Sequence, residues 1–282
     1  MMNNELIINQ VYQALAEDIG SGDLTAALIP EEAFLNAHVV TREAIIVCGT
    51  AWFDTCFRQL CPSITIDWHI TDGQAASAGE NLCVVRGAAR PLLTAERTAL
   101  NFLQTLSAVA TRTRQFVAAI EGTTACIVDT RKTIPGLRAA QKYAVRCGGG
   151  TNHRAGLHDG VLIKENHIIA AGGIENILRK ATEITPANIW IQIEVETLNE
   201  MQQALQAGAK MILLDNFSLS DLREAVKLNQ QLPDYPAVLE ASGNITLDNV
   251  RLVAETGVDR ISVGSLTKHI QAVDLSMRFE AA

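Results

Sequence analysis

The chain has no surplus of positive charge, no long apolar run and no paired-cysteine motif, and each absence removes a class of function. Acidic residues outnumber basic ones by 31 to 23, for a net charge of −8. A general nucleic-acid binder shows a basic face, so nucleic acid is not an expected partner. No stretch approaches the roughly 18 consecutive apolar residues of a membrane span, so no membrane association is expected. The opening MMNNELIINQ lacks the basic end and apolar core of a signal peptide, which predicts a cytoplasmic protein. The six cysteines (Cys48, Cys56, Cys61, Cys83, Cys126 and Cys147) form no C-x-x-C pair and no zinc-like spacing with histidine. Buried or half-buried free thiols are therefore expected in preference to disulfides or a metal centre.

What is present suits either one large barrel or two domains. The 282 residues are 48% hydrophobic and 19% charged, with ample apolar material for a core. LIINQVYQALAE at 5–16 has helical spacing, and the following EDIGSGDLT at 17–25 breaks it. Extended runs at 37–49, 64–70 and 81–87 surround a helical stretch, Thr50 to Leu60, which is the pattern of an α+β domain on an antiparallel sheet. A long helical tract runs from Leu92 to Ile120 and carries Arg97 next to Glu96; read alone, that arginine is a solvated or ion-paired surface residue. Beyond Gly122 short β-branched runs at 125–130, 159–165, 189–196, 210–216, 237–242 and 260–265 alternate with helical tracts such as Leu198 to Ala207 and Asp221 to Gln231. Each run ends in polar residues, and in α/β barrels chemistry sits at the C-terminal ends of the strands. Lys268 to Phe279 is expected to be a closing helix.

The chemistry concentrates in DTRKTIPGLRAAQKYAVRCGGGTNHRAGLHDGVLIKENH, Asp129 to His167. From Arg131 onward this stretch has seven Lys/Arg against two acids, a surplus of five in an acidic chain. Cations folded around Gly148–Gly150 are what a pocket for a small, multiply charged anion requires. Arg131 and Lys132 follow a strand directly, pairing a two-pronged donor for carboxylates with a compact point charge. His153 and Arg154 follow the glycines, and Lys164 ends an apolar strand, where it needs an anion or an acid as partner. Glu194 and Asp215 close two later strands; as paired carboxylates they suit either acid/base work or holding Mg²⁺ and sugar hydroxyls, and the second role is preferred. Glu196 is a weaker candidate on the same alternation. Ser242-Gly243-Asn244 and Gly264-Ser265 end the last two strands, where backbone N–H groups can cradle a phosphate. No covalent nucleophile stands out.

This stretch resembles the signature of the quinolinate phosphoribosyltransferases, and the similarity extends through EDIGSGDLT, ARPLLTAERTALNFLQTLSAVAT at 89–111, IEVET, LLDN, LEASGNI and DRISVGSLTKH. The resemblance implies an α/β protein: an N-terminal α+β sandwich domain over 1–112, a TIM-like, incomplete α/β barrel over 113–267, and a C-terminal helix, 268–282, packing back on the first domain. It implies phosphoribosyl transfer from 5-phosphoribosyl-1-pyrophosphate to quinolinate with decarboxylation, in NAD biosynthesis. The implied catalytic residues are Lys132, Lys164, Glu194 and Asp215, the last two with Mg²⁺, directly or through substrate or water. The implied substrate-binding set adds Arg97, Thr130, Arg131, His153, Arg154, Ser242, Gly243, Asn244, Val263, Gly264 and Ser265. Arg97 enters the site from a partner subunit, so a homodimer with shared sites is implied, and a hexamer is left open. Ala108 stands where the family is expected to carry glycine. Two other readings stay open: a related barrel transferase of the molybdenum-transport-associated type acting on another small acid, against which the KENH at 164–167 speaks, and a non-enzymatic anion-binding barrel.

Overall fold

The structure is a computed structural model that describes residues 4–231 and 236–281. The chain divides into two compact units, one of Met1–Arg114, Thr133–Gly149 and Leu266–Ala282, the other of Gln115–Lys132 and Gly150–Ser265. The division therefore does not fall at one point in the sequence.

The first unit opens with helix α1 (Asn4–Ile19), whose Ile7, Val11 and Leu15 form one buried stripe. Strand β1 (Phe34–Thr41) buries Ala37, Val39 and Thr41 at period two. The short β2 (Ile45–Ile46) pairs with β4 (Ala75–Ala76), and helix α2 (Thr50–Leu60) lies between them in sequence, burying Trp52, Phe53, Cys56 and Phe57. Strands β3 (Thr65–Trp68), β5 (Asn81–Ala88) and the closing β12 (Leu275–Ala281) complete an antiparallel sheet in the order β12-β1-β5-β3. Helix α3 (Ala89–Ala119) follows.

Two features of this unit depart from expectation. The tract expected to be a closing helix is a strand: β12 (Leu275–Ala281) adds to the sheet edge, antiparallel to β1 from Leu35↔Ala281 to Thr41↔Leu275. Its Leu275, Met277 and Phe279 alternate with Ser276, Arg278 and Glu280, a strand period that outweighs the helical spacing before it. The middle of the basic stretch also belongs to this unit, as helix α4 (Arg138–Cys147). Gly148 ends it, where a Cβ would lie 2.5 Å from both the Ala110 carbonyl oxygen and Thr113 Cβ. Only glycine lets α4 end against α3.

The second unit is built on six parallel strands: β6 (Cys126–Val128), β7 (Val161–Ile163), β8 (Ile191–Val195), β9 (Met211–Asp215), β10 (Val238–Ser242) and β11 (Arg260–Ser262). Their order is β6-β11-β10-β9-β8-β7. Helices α5 (Glu165–Ala171), α6 (Ile174–Ile184), α7 (Leu198–Gln206), α8 (Leu219–Gln230) and α9 (Val250–Ala254) connect them, and α10 (Ser265–Lys268) follows the last. Among the described residues β6 and β7 do not pair; instead Thr151 forms a one-residue parallel bridge to Val128 on the outer edge of β6. This is an α/β barrel of the TIM type, incomplete between its edge strands.

Register determines what faces inward. Glu194, Leu213, Glu240 and Arg260 are successive partners across β8, β9, β10 and β11. Residues two positions away along each strand share that face.

Candidate active site

A cavity of about 150 Å³ opens in the second unit, lined from seven places in the sequence. Thr130, Arg131 and Lys132 continue from β6, His153 and Arg154 follow the Thr151 bridge, and Lys164 ends β7. Glu194 and Ser242 line it from the ends of β8 and β10. Eight of the expected site residues are thus brought together, including four cations. Leu162, Leu213, Glu240 and Ser262 complete the lining.

Local structure explains how three of the cations are placed. The Lys132 N–H donates to Thr130 Oγ1 at 3.0 Å, curling the chain as it leaves β6. The Arg154 guanidinium donates to the Gly160 carbonyl at 3.1 Å, and a Cβ on Gly160 would overlap the Trp190 indole. Asp159 clamps the turn after Arg154 by accepting N–H groups of Ala155 (2.7 Å) and Gly156 (2.9 Å). Burial first, and then the neighbouring Arg131, push the Arg154 guanidinium below its ordinary value; Asp159 and Glu194 oppose this. Two cations crowded in this way are relieved by an anion between them. The KENH segment positions Lys164: His167 Nδ1 accepts the Lys164 N–H at 3.0 Å at the start of α5, and Lys164 Nζ donates to Glu194 Oε2 at 2.6 Å.

His153 sits deeper than expected. Its ring is buried edge-to-face against Trp190, at 5.0 Å between centroids. Nδ1 accepts the Arg154 N–H at 2.8 Å, so the ring proton lies on Nε2, 2.9 Å from Gln192 Oε1. Both nitrogens are thus held by the protein, and the histidine is an orienting wall for Arg154. Asp129, fully buried, accepts the His153 N–H at 2.8 Å and the Asn152 amide at 2.6 Å.

Other expected residues lie apart from the cavity lining. Asp215 ends β9 on the same face as Leu213 and accepts the Asn216 amide at 2.9 Å. Gly243 (φ +101°) stands between Asn216 and Asn244, both in left-handed conformation, and the two asparagine side chains are joined at 3.3 Å. A Cβ on Gly243 would strike the Asn216 amide, so this strand-end loop requires glycine. A Cβ on Gly264 would lie 3.2 Å from Lys132 Cδ, which puts that loop beside Lys132, with Ser265 opening α10. Val263 differs: its side chain is buried and its N–H donates to the Val128 carbonyl at 2.9 Å, so it offers a ligand neither. Glu196 lies beyond the end of β8, its N–H taken by the Glu200 carboxylate as α7 begins. Arg97 is exposed on α3, in the first unit.

The basic stretch separates on folding. Arg131, Lys132, Arg154 and Lys164 line the cavity, whereas Arg138, Lys142 and Arg146 lie on α4, and Gly148 and Gly149 close that helix rather than cradle an anion. Reading from sequence missed the buried polar layer beneath the cations, Gln192, Glu240 and Asp129, with the half-buried Arg260 beside it. Its signal was the same alternation, since Gln192, Glu240 and Ser262 each stand two residues before a residue that was singled out.

The donor set bears on magnesium. Glu194 is held by Lys164 and Asp215 by Asn216, and among the described residues neither belongs to a cluster of three metal-ligating side chains. Two carboxylates without a protein cage could hold Mg²⁺ only where another group completes its coordination.

Residues 23–107 and 109–278 match the sequence models described as the N-terminal and C-terminal domains of quinolinate phosphoribosyl transferase. The chain is 41% identical over 278 residues to a Bacillus subtilis protein named probable nicotinate-nucleotide pyrophosphorylase [carboxylating], covering 98% of this chain and 94% of that one. It is 39% identical over 274 residues to the nicotinate-nucleotide pyrophosphorylase [carboxylating] of Mycobacterium leprae, covering 95% of each. The solved structure of the nicotinate-nucleotide pyrophosphorylase from Francisella tularensis aligns with a TM-score of 0.95 at 45% identity, over 99% of this chain and 98% of that one.

Proposed function

The chain belongs to the quinolinate phosphoribosyl transferase family, and from that premise we propose that it joins quinolinate to 5-phosphoribosyl-1-pyrophosphate, giving nicotinate mononucleotide, pyrophosphate and CO₂ for NAD biosynthesis. The observation that carries this reading is the cavity in which Arg131, Lys132, Arg154 and Lys164 converge at the C-terminal ends of the barrel strands. A pyridine dicarboxylate needs two-pronged donors on its carboxylates, and Arg131 and Arg154 supply them, with Lys164 as point charge and His153 orienting the group. Thr130 positions Lys132, which meets the departing pyrophosphate. The ring nitrogen attacks the anomeric carbon as the bond to pyrophosphate breaks and its electron pair leaves with that group. The carboxylate beside the nitrogen then departs as CO₂, its bonding pair stays on the ring carbon, and a proton replaces it.

Glu194 and Asp215 place negative charge by the ribose, where the reacting carbon becomes cation-like. They are also the residues that would hold Mg²⁺, which when bound neutralises charge on the diphosphate. The loops at Ser242-Gly243-Asn244 and Gly264-Ser265 receive the 5′-phosphate. Arg97 completes the site from a second copy, so the working unit is a homodimer in the cytoplasm. No helix among the described residues is long and apolar enough to cross a membrane.

The experiment is product formation from quinolinate, 5-phosphoribosyl-1-pyrophosphate and Mg²⁺, with nicotinate as the parallel acid. Nicotinate mononucleotide should form from quinolinate alone. Arg131→Ala should lower kcat/KM by about 10- to 150-fold, matching the roughly 1.5–3 kcal/mol of a hydrogen bond to a charged group. An Arg131→Ala protein with normal turnover, or inert quinolinate, refutes the assignment.

A further inference from the structure

Beneath the four cations lies a group of the opposite sign. The Glu240 side chain is fully buried on β10 and reaches the same cavity. Its Oε2 accepts from Arg260 Nε at 2.9 Å and from the Gln192 amide at 3.2 Å. Its Oε1 has no hydrogen-bond partner among the described residues. His153 Nε2 is 3.8 Å from that oxygen, but its proton is directed to Gln192 Oε1, and this fixes the Gln192 amide with its N–H toward Oε2. One oxygen is thus tied down from two sides and the other is buried without a hydrogen-bond partner. A buried carboxylate costs several kcal/mol of desolvation unless its oxygens are met. A carboxylate also opposes the binding of a dicarboxylate. The ion pair with Arg260 offsets part of the desolvation cost but leaves Oε1 unmet, and acid binding does not account for the carboxylate.

The reaction does. When the ring nitrogen bonds to the anomeric carbon, the ring passes from neutral to cationic, and only then does an anion beside it become favourable. Resting on the function proposed above, we propose that the Glu240 carboxylate, buried directly behind the cavity wall with Oε1 unpartnered, stabilises through space the positive charge that the ring acquires during ribosyl transfer. Such an interaction is absent from the ground state and present in the transition state, so it acts on kcat and not on quinolinate affinity. Arg260 and Gln192 are positioning residues that hold the carboxylate by its other oxygen.

The sign of the effect separates this role from a structural one. In the full-length Glu240→Gln protein, quinolinate should bind as tightly as in the wild type or more tightly. Nicotinate mononucleotide, with its cationic ring, should bind about tenfold more weakly, and kcat should fall by at least that factor, a factor of ten being about 1.4 kcal/mol. A parallel weakening of both ligands would make Glu240 a support for the pocket wall, and unchanged binding and turnover would make Oε1 a hydrated bystander; either result overturns the proposal.

Because the variant could fail to fold, a second measurement uses the wild-type protein. N-methylquinolinate, with a permanently cationic ring, should bind more tightly than benzene-1,2-dicarboxylate, which has the same two carboxylates on a neutral ring. Equal or reversed affinities overturn the proposal. Wild-type protein that turns over quinolinate while these signs are missing loses only the role of Glu240. Protein that neither binds nor converts quinolinate loses the reaction and this role together.

Discussion

Lys164 and Glu194 show how little a site residue need contribute to folding. Their ion pair is short, 2.6 Å, but the lysine side chain is 48% exposed. Pairs so open to water are worth roughly 0–1 kcal/mol. Lys164→Met should therefore lower the melting temperature by only a few degrees while strongly weakening quinolinate binding, and calorimetry beside a binding titration checks both. Asp159 behaves differently. Burial raises its carboxyl, yet the N–H groups of Ala155 and Gly156 outweigh that and hold it below the ordinary 3.8. A depressed folded-state value means that the stabilisation is present above the unfolded value and is lost as pH falls through the folded one. The turn behind Arg154 should loosen only at pH below 3.8, read as acid titration of the Ala155 and Gly156 amide resonances. In Asp159→Asn these resonances should not titrate in that window.

Among the elements, the junction of α3 and α4 is the most sensitive to a single methyl group. A Cβ on Gly148 would meet the Ala110 carbonyl oxygen and Thr113 Cβ, both backbone-anchored and unable to swing away. Gly148→Ala should destabilise the protein by about 1–3 kcal/mol, the usual range for overpacking, as measured by denaturant unfolding. From sequence Gly148 reads as part of an anion loop, because composition reports glycine without saying which backbone needs it. The strands were more legible. All six barrel strands fall inside runs recognised from β-branched residues and polar ends, and α2 spans Thr50–Leu60 as its spacing implies. What alternation carries beyond the run ends was less so. Counting forward from Glu194 reaches Glu196, which the chain turns into the cap of α7, whereas counting back reaches Gln192 in the buried layer. The closing segment was missed because its helical spacing overlaps the seven-residue alternation of β12.

At the scale of the whole molecule, the last residues belong with the first strand of the sheet. β12 covers the outer edge of β1 along its length. A chain ending at Asp274 would bare that edge, and exposed strand edges template pairing with other chains. Such a truncation should aggregate or melt at markedly lower temperature, visible by size-exclusion chromatography and thermal unfolding. Charge at this scale follows from sequence: a net −8 with seven of the 23 Lys/Arg gathered between Arg131 and His167 already points to a site for a small anion. Sequence also suffices for the alternating strands of the barrel, the family and the cations themselves, because periodicity and motif are local properties of the chain. Which cations share a cavity, which glycines serve packing, and where the buried Glu240 carboxylate lies were decided by the tertiary structure alone. Register across parallel strands is a non-local property, and it brings together residues as far apart as Arg131 and Glu240, which no spacing along the chain encodes.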